Sequence, residues 1–171
     1  MTDRIQIQEC DITTLDVDAI VNAANTKLLG GGGVDGAIHH AAGPSLLEEC
    51  RKINGCPTGE ARLTGGHGLH ARHIIHTAGP VWNDGEHDEP ALLANCYRNS
   101  LQMAAEHNFQ TLAFPAISCG AYRFPLEAAC YIALREITAF LQKHDLPETI
   151  ILACFDEPTA NIYRKLAKQN T

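Results

Sequence analysis

Asn22-Ala23-Ala24-Asn25-Thr26-Lys27-Leu28-Leu29-Gly30-Gly31-Gly32-Gly33-Val34-Asp35-Gly36 gathers two side-chain amides, four consecutive glycines and one carboxylate within fifteen residues. Four glycines in a row make a poor strand or helix, because each loses more backbone entropy on ordering than any other residue. Their use is to let bare backbone amides approach an anion closely. Asp35 stands just past this run, where a helix can begin. Aspartate is a favoured helix N-cap, so a purely structural role is open to it. A phosphate cradle beside a carboxylate points instead to chemistry on a nucleotide-like ligand.

Outward from this segment the pattern alternates. Arg4 to Glu9 switches between polar and apolar residues as a half-buried strand does. Ala19 to Val21 reads as a short buried strand leading into a loop that begins at Asn22. Val34 to Ala42 reads as a helix stopped by Gly43-Pro44, and Ser45 as the cap of a second helix over Leu46 to Lys52. Strands are expected at Ala61–Thr64, His73–Thr77, Thr111–Phe114 and Thr149–Cys154. Helices are expected at Pro90–His107, Leu126–Lys143 and Glu157–Lys168. Strands alternating with helices give a layered α/β fold with a mostly parallel sheet. Ligands of such sheets bind beyond the carboxyl ends of the strands. The loops after Val21 and after Phe114 both fall there, so they can share one ligand.

Composition narrows the function classes. The chain of 171 residues suits one domain, and its 45% hydrophobic content is ordinary for a globular protein. No apolar run is long enough to span a bilayer, and the N-terminus lacks the apolar core of a signal peptide. Seven scattered cysteines, an odd number without a CxxC pair, suit a reduced cytoplasmic protein. A net charge of −7 argues against nucleic-acid binding and leaves any phosphate site to be built from backbone amides.

Several tempting motifs lack their context. Gly31, Gly33 and Gly36 satisfy G-x-G-x-x-G, but no strand with a terminal acid follows. The glycine run also lacks the Lys-Ser/Thr ending of a P-loop. His67, His70, His73 and His76 recur every third residue, which suggests a metal. On a strand, however, His73 and His76 face opposite ways, so hydrogen-bonded or solvated histidines fit better, and no metal is expected. Cys119 is a candidate nucleophile that needs a base the sequence does not identify; a small residue in a turn is the simpler reading.

Taken together, the chain resembles a macrodomain of the MacroD type, in its bacterial O-acetyl-ADP-ribose deacetylase branch. The resemblance runs end to end. It rests on Asp11-Ile12-Thr13, the Val17 to Asn25 segment, Gly30 to Ala42, Thr58 to Ala61, His76 to Pro80 and Phe114 to Tyr122. It implies one domain over residues 1–171, folded as a three-layer α/β/α sandwich with a central mixed, mostly parallel sheet. The implied reaction is hydrolysis of O-acetyl-ADP-ribose to ADP-ribose and acetate, with removal of mono-ADP-ribose from acidic side chains as related chemistry. No cofactor is implied. The implied partners are ADP-ribose derivatives and ADP-ribosylated proteins.

The resemblance also assigns positions. Asp11 matches the aspartate that accepts from the adenine amino group, with the Ile12 backbone beside it. Asn25 matches the asparagine on the distal ribose. Gly32, Gly33, Val34 and Asp35 match the first phosphate and ribose loop. Ser118, Cys119, Gly120, Ala121 and Tyr122 match the second, with Tyr122 covering the distal ribose. Phe155 is placed to flank the adenine. Asp35, aided by Asn25, is the residue expected to activate a water; a positioned general base contributes about 10²–10⁴-fold. Three positions depart from the pattern. Cys10 and Arg123 replace glycine, and His40 replaces an arginine common in relatives. A left-handed backbone at Cys10 would strain it. The competing reading is an ADP-ribose reader that does not turn its ligand over, or a regulatory partner protein, of which the sequence holds no clear trace.

Overall fold

The computed structural model describes residues 2–170. Chain order is β1 (Ile5–Glu9), a 3-10 turn (Ile12–Thr14), β2 (Ala19–Ala24), α1 (Gly33–Ala42), α2 (Pro44–Ile53), β3 (Ala61–Gly65), β4 (His73–Ala78), α3 (Glu89–Glu106), β5 (Thr111–Phe114), α4 (Leu126–Leu141), β6 (Thr149–Cys154) and α5 (Glu157–Gln169). The six strands form one sheet in the order β1-β6-β5-β2-β4-β3. Among the described residues only the β3–β4 pair is antiparallel; β1–β6, β6–β5, β5–β2 and β2–β4 are parallel.

Strand alternation divides the core in two. Val21 and Ile75 face one way and pack with Leu93, Leu101, Ile137 and Tyr163 from α3, α4 and α5. Ile20 and Ile74, one residue earlier on each strand, face the other way and pack with Ile38, Leu46 and Cys50 from α1 and α2. Fully burying an aliphatic side chain of this size stabilises by about 1.5–3 kcal/mol. The sheet therefore lies between two helical layers, as the sequence pattern requires.

The structure shifts two of the expected elements. β2 runs on through Asn22, Ala23 and Ala24, so Asn22 is a strand residue and not the start of a loop. Its side chain is fully buried and finds polar partners in the core, which lets an asparagine stay in a central strand. Helix α2 begins at Pro44, with Gly43 as its N-cap at φ 87°. Ser45 does not cap it; the Ser45 hydroxyl lies 2.8 Å from His67 Nδ1 instead.

Among the described residues, no helix is long and apolar enough to cross a membrane. The parallel strands β1, β6, β5 and β2 all end on the same edge, and the segments singled out in the sequence follow them there.

Candidate active site

Asp35 is the third residue of α1, not its N-cap; that position is Gly32, which offers no side chain. A carboxylate in the first turn is still favoured by the helix dipole. Asp35 is 5% exposed. Asn22 Nδ2 donates to Asp35 Oδ1 at 2.9 Å, and His39 Nε2, one helical turn on, lies 3.5 Å from the same oxygen. His39 is a partner that the sequence reading missed; its i,i+4 spacing from Asp35 was the available signal.

Asn25 occupies the loop between β2 and α1. Its Nδ2 donates to the Gly30 carbonyl at 2.9 Å, and its Oδ1 accepts from the amides of Lys27 and Leu28, each at 3.1 Å. The asparagine thus folds the loop onto itself. Gly31 is wedged between the two polar residues: a Cβ there would lie 3.1 Å from Asp35 Oδ2 and 3.4 Å from Asn25 Nδ2. Gly36 is wedged harder, since its Cβ would sit 2.5 Å from the Gly31 carbonyl oxygen. Gly32 is different. A Cβ there would meet nothing, and the backbone is extended at φ −97°. Folding does not require glycine at that position.

The loop after β5 lies beside β2, which pairs with β5 in parallel. Ile117 and Phe124 are buried at its two ends, and Phe124 N donates to Ser118 O at 2.9 Å. Between them Ser118 is left-handed at φ 66° and Arg123 at φ 61°. Arg123 therefore stands where the backbone favours glycine. Cys10 does not: it is absent from the left-handed residues, so the strain expected there does not arise. Gly120, like Gly32, faces open space. Tyr122 is half-buried, and its carbonyl accepts from Trp82 N at 2.8 Å. Burial pushes the Cys119 thiol up to about 11. A thiolate nucleophile is thereby disfavoured, and the residue serves as part of the turn.

Asp11, Ile12 and Phe155 lie at the far end of this edge. Asp11 Oδ1 accepts from Thr13 N at 2.9 Å and from Thr13 Oγ1 at 2.7 Å, which closes the 3-10 turn. Ile12 is buried, and Phe155, directly after β6, is 89% exposed. The Cys10 amide donates to the Cys154 carbonyl at 2.9 Å, which ties the two strand ends together. From β1 to β2 is three strand spacings, about 14 Å. The singled-out residues thus line one long edge, with aromatic and acidic groups at one end and the Asp35 carboxylate near the other. His40 is exposed.

The histidine repeat does not converge. His73 packs against Phe109 with ring centroids 4.8 Å apart and planes tilted by 32°, on the α3–α5 side. His76 is buried on the opposite face against Asn22 and Thr64. Asp84, His87 and Glu89 do bring their ligand atoms close together. Glu89, however, accepts from the amides of Asn83, Asp84, Gly85 and His87. Burial opposes its ionisation, but these donors outweigh it and bring Glu89 to about 2. The cluster is a clasp for the loop entering α3.

This fold and this edge define a three-layer α/β/α domain, and comparison with known proteins says which family it falls in. The Macro domain profile matches residues 21–133. The chain belongs to the macrodomain family. A macro domain-containing protein of Methanosarcina mazei is 58% identical over 163 residues, 95% of this chain and 87% of that one. The O-acetyl-ADP-ribose deacetylase of Escherichia fergusonii is 51% identical over 173 residues, 99% of this chain and 98% of that one. Among solved structures, a variant of the Oceanobacillus iheyensis macrodomain with ADPR superposes at a TM-score of 0.93 with 44% identity, covering 96% of this chain and 91% of that one.

Proposed function

We propose that the chain binds ADP-ribose and hydrolyses O-acetyl-ADP-ribose to ADP-ribose and acetate, with residues 1–171 acting as one domain. The observation that carries this reading is the buried Asp35 carboxylate, held by Asn22 at 2.9 Å directly behind the glycine loop. A module that only binds a diphosphate gains nothing from burying a negative charge beside it. Gly32 and Gly120 support the ligand: neither needs to be glycine for packing, so their bare amides are available to an anion from outside the protein.

In this reading Asp11 accepts from the adenine amino group, with the Ile12 backbone beside it and Phe155 against the ring. Gly32, Gly33 and Val34 and the segment Ser118 to Tyr122 clasp the diphosphate from two sides. Asn25 and Tyr122 hold the distal ribose. Asp35 orients a water and takes a proton from it as the water oxygen attacks the ester carbonyl. The tetrahedral oxyanion is stabilised by amides of the glycine loop. Its collapse breaks the bond to the ribose oxygen, which leaves with the proton, and acetate is released. A substrate phosphate can share the proton with Asp35.

Removal of ADP-ribose from aspartate or glutamate side chains is the same acyl-ester cleavage. The exposed rim formed by Leu29 and Gly31 to Gly33 supports access by an ADP-ribosylated protein. Seven unpaired thiols, five of them buried, support a reducing, cytoplasmic setting.

The test is acetate release from O-acetyl-ADP-ribose by wild type and Asp35→Ala, with ADP-ribose binding measured on both by calorimetry. Release that collapses in the variant while binding persists is expected. Tight ADP-ribose binding without turnover by wild type would sink the deacetylase reading in favour of a reader.

A further inference from the structure

A line of polar side chains crosses the otherwise apolar face under α1 and α2. Thr64 on β3, His76 on β4 and Asn22 on β2 stand on three adjacent strands, and Asp35 follows on α1. All four are 5% exposed or less. Asn22 and His76 are direct register partners. Their neighbours on the same face are Ile20, Ala24, Ile74 and Ala78. Buried polar groups persist only when their hydrogen bonds are made, and here those bonds fix the direction of each proton.

At one end the Asp35 carboxylate accepts only, so Asn22 must turn its NH₂ toward it. The same Nδ2 lies 3.1 Å from His76 Nδ1. Nδ1 must then carry a lone pair, and the His76 proton sits on Nε2. At the other end the Thr64 hydroxyl donates to the Gly65 carbonyl at 3.1 Å, so it is free to accept from His76 Nε2 at 2.8 Å. The Asn22 end demands the Nε2–H tautomer, and the Thr64 hydroxyl, donating to Gly65, accommodates it.

We propose that His76 is a positioning residue: its Nε2–H tautomer locks the rotation of the Asn22 amide, and through that amide the aim of the Asp35 carboxylate. A proton on Nδ1 would face the Asn22 NH₂ and drive the amide over. Its Oδ1 would then confront Asp35, and the carboxylate would lose its donor.

The surroundings keep the ring neutral. Burial, chiefly, brings His76 down to about 4; His39 on α1 and His67 between β3 and β4 act in the same direction, and Glu49 on α2 opposes them. On α1, Asp35 faces the ring only through Asn22. Among the described residues the buried Asn22 Oδ1 atom has no partner, so the amide is held through its NH₂.

The proposal rests on the hydrolase reading but can be tested apart from it. The first arm is a long-range ¹H–¹⁵N correlation spectrum of the wild-type histidines. A neutral His76 with its proton on Nε2, persisting to about pH 5, is expected. The Nδ1–H tautomer or an imidazolium at neutral pH would overturn the relay whatever the turnover. The second arm compares His76→Asn with His76→Gln.

An asparagine carbonyl takes the place of Nδ1 and restores the acceptor for Asn22. A glutamine reaches Thr64 in place of Nε2 and leaves Asn22 without it. His76→Asn should therefore keep kcat within about threefold, whereas His76→Gln loses about 10–100-fold, with ADP-ribose affinity and KM little changed in both. A role in filling space alone predicts the reverse order, since glutamine is nearer to histidine in volume. Equal losses in the two variants, or losses in affinity rather than kcat, would overturn the proposal. Wild type that turns over no ADP-ribosyl ester yet shows the Nε2–H tautomer would count against the hydrolase reading and leave the relay standing.

Discussion

The loops after β2 and after β5 meet on one edge of the sheet, yet they are held by different means. The β2 loop is braced by side chains: Asn25 ties down Gly30, Lys27 and Leu28, and Asn22 and His39 flank Asp35. The β5 loop is braced by its own backbone and by apolar ends. Phe124 N reaches Ser118 O, Arg123 N reaches Gly120 O at 3.0 Å, and Phe124 packs on Trp82 with centroids 4.8 Å apart. A loop that must aim one reacting group needs side chains of fixed rotation around that group. A loop that need only present amides can be set by turn geometry. In the proposed function the first loop therefore carries the chemistry and the second the grip.

The sharpest break of this contrast is Asp35→Ala. Turnover should fall by about 10²–10⁴-fold, with ADP-ribose affinity changed only a few-fold. A variant that lost affinity and rate together would place Asp35 in binding and erase the division between the loops.

Acid should separate the loops next, because the buried titratable relay lies behind the first one alone. Folded His76 titrates near 4 and the unfolded side chain near 6.5. Between those values the unfolded chain takes up the proton and the folded one does not. Stability is thus fully present above the unfolded value and falls as pH drops through the window, by about 3 kcal/mol in all. Urea melts of wild type and His76→Asn between pH 7 and pH 4 should differ in slope by that histidine's share. Parallel curves would contradict the buried neutral ring.

The glycines sharpen the comparison further. Gly36→Ala drives a Cβ to 2.5 Å from the Gly31 oxygen, and Gly79→Ala drives one to 2.2 Å from Ser118 Oγ. Each should cost about 1–3 kcal/mol of stability, read by thermal melts. Gly32→Ala and Gly120→Ala meet no protein atom. They should leave melting within about 0.5 kcal/mol of wild type or slightly above it. Alanine keeps the amide N–H, but its methyl would enter the space of the diphosphate, so ADP-ribose affinity should nevertheless drop by about 1–2 kcal/mol. Unchanged affinity in both would remove the support these glycines lend to the site.

The smallest effect is expected at Arg123. Relieving a left-handed arginine gains about 1–2 kcal/mol of strain, but glycine gives back about 0.5–1 kcal/mol of backbone entropy. Arg123→Gly should therefore raise stability by about 0–1.5 kcal/mol. Any loss of ADP-ribose affinity on top of that would show the guanidinium reaching a phosphate.

Much of this was legible along the chain. Hydrophobic runs at period 2 and period 3.6, punctuated by Gly43-Pro44, locate β1, β3, β4, β5, β6 and the five helices to within about two residues. The two loops and their strand-end positions followed from the same pattern. Misreadings came where a polar residue had a distant partner. The sequence pattern starts a loop at Asn22, because nothing local satisfies a buried side-chain amide; its partners Asp35 and His76 lie 13 and 54 residues away. The local pattern makes Ser45 a cap, but its hydroxyl pairs with His67, 22 residues on.

The sequence by itself determined the family, the alternation of strands and helices, and a glycine loop ending in a carboxylate, because these are written in local spacing. Only the tertiary structure decided that Asp35 is buried, that Asn22 and His39 flank its Oδ1, and that Thr64, His76 and Asn22 line up behind it. Those facts depend on β3, β4 and β2 lying side by side with one register. A one-residue slip would turn each of these side chains to the opposite face.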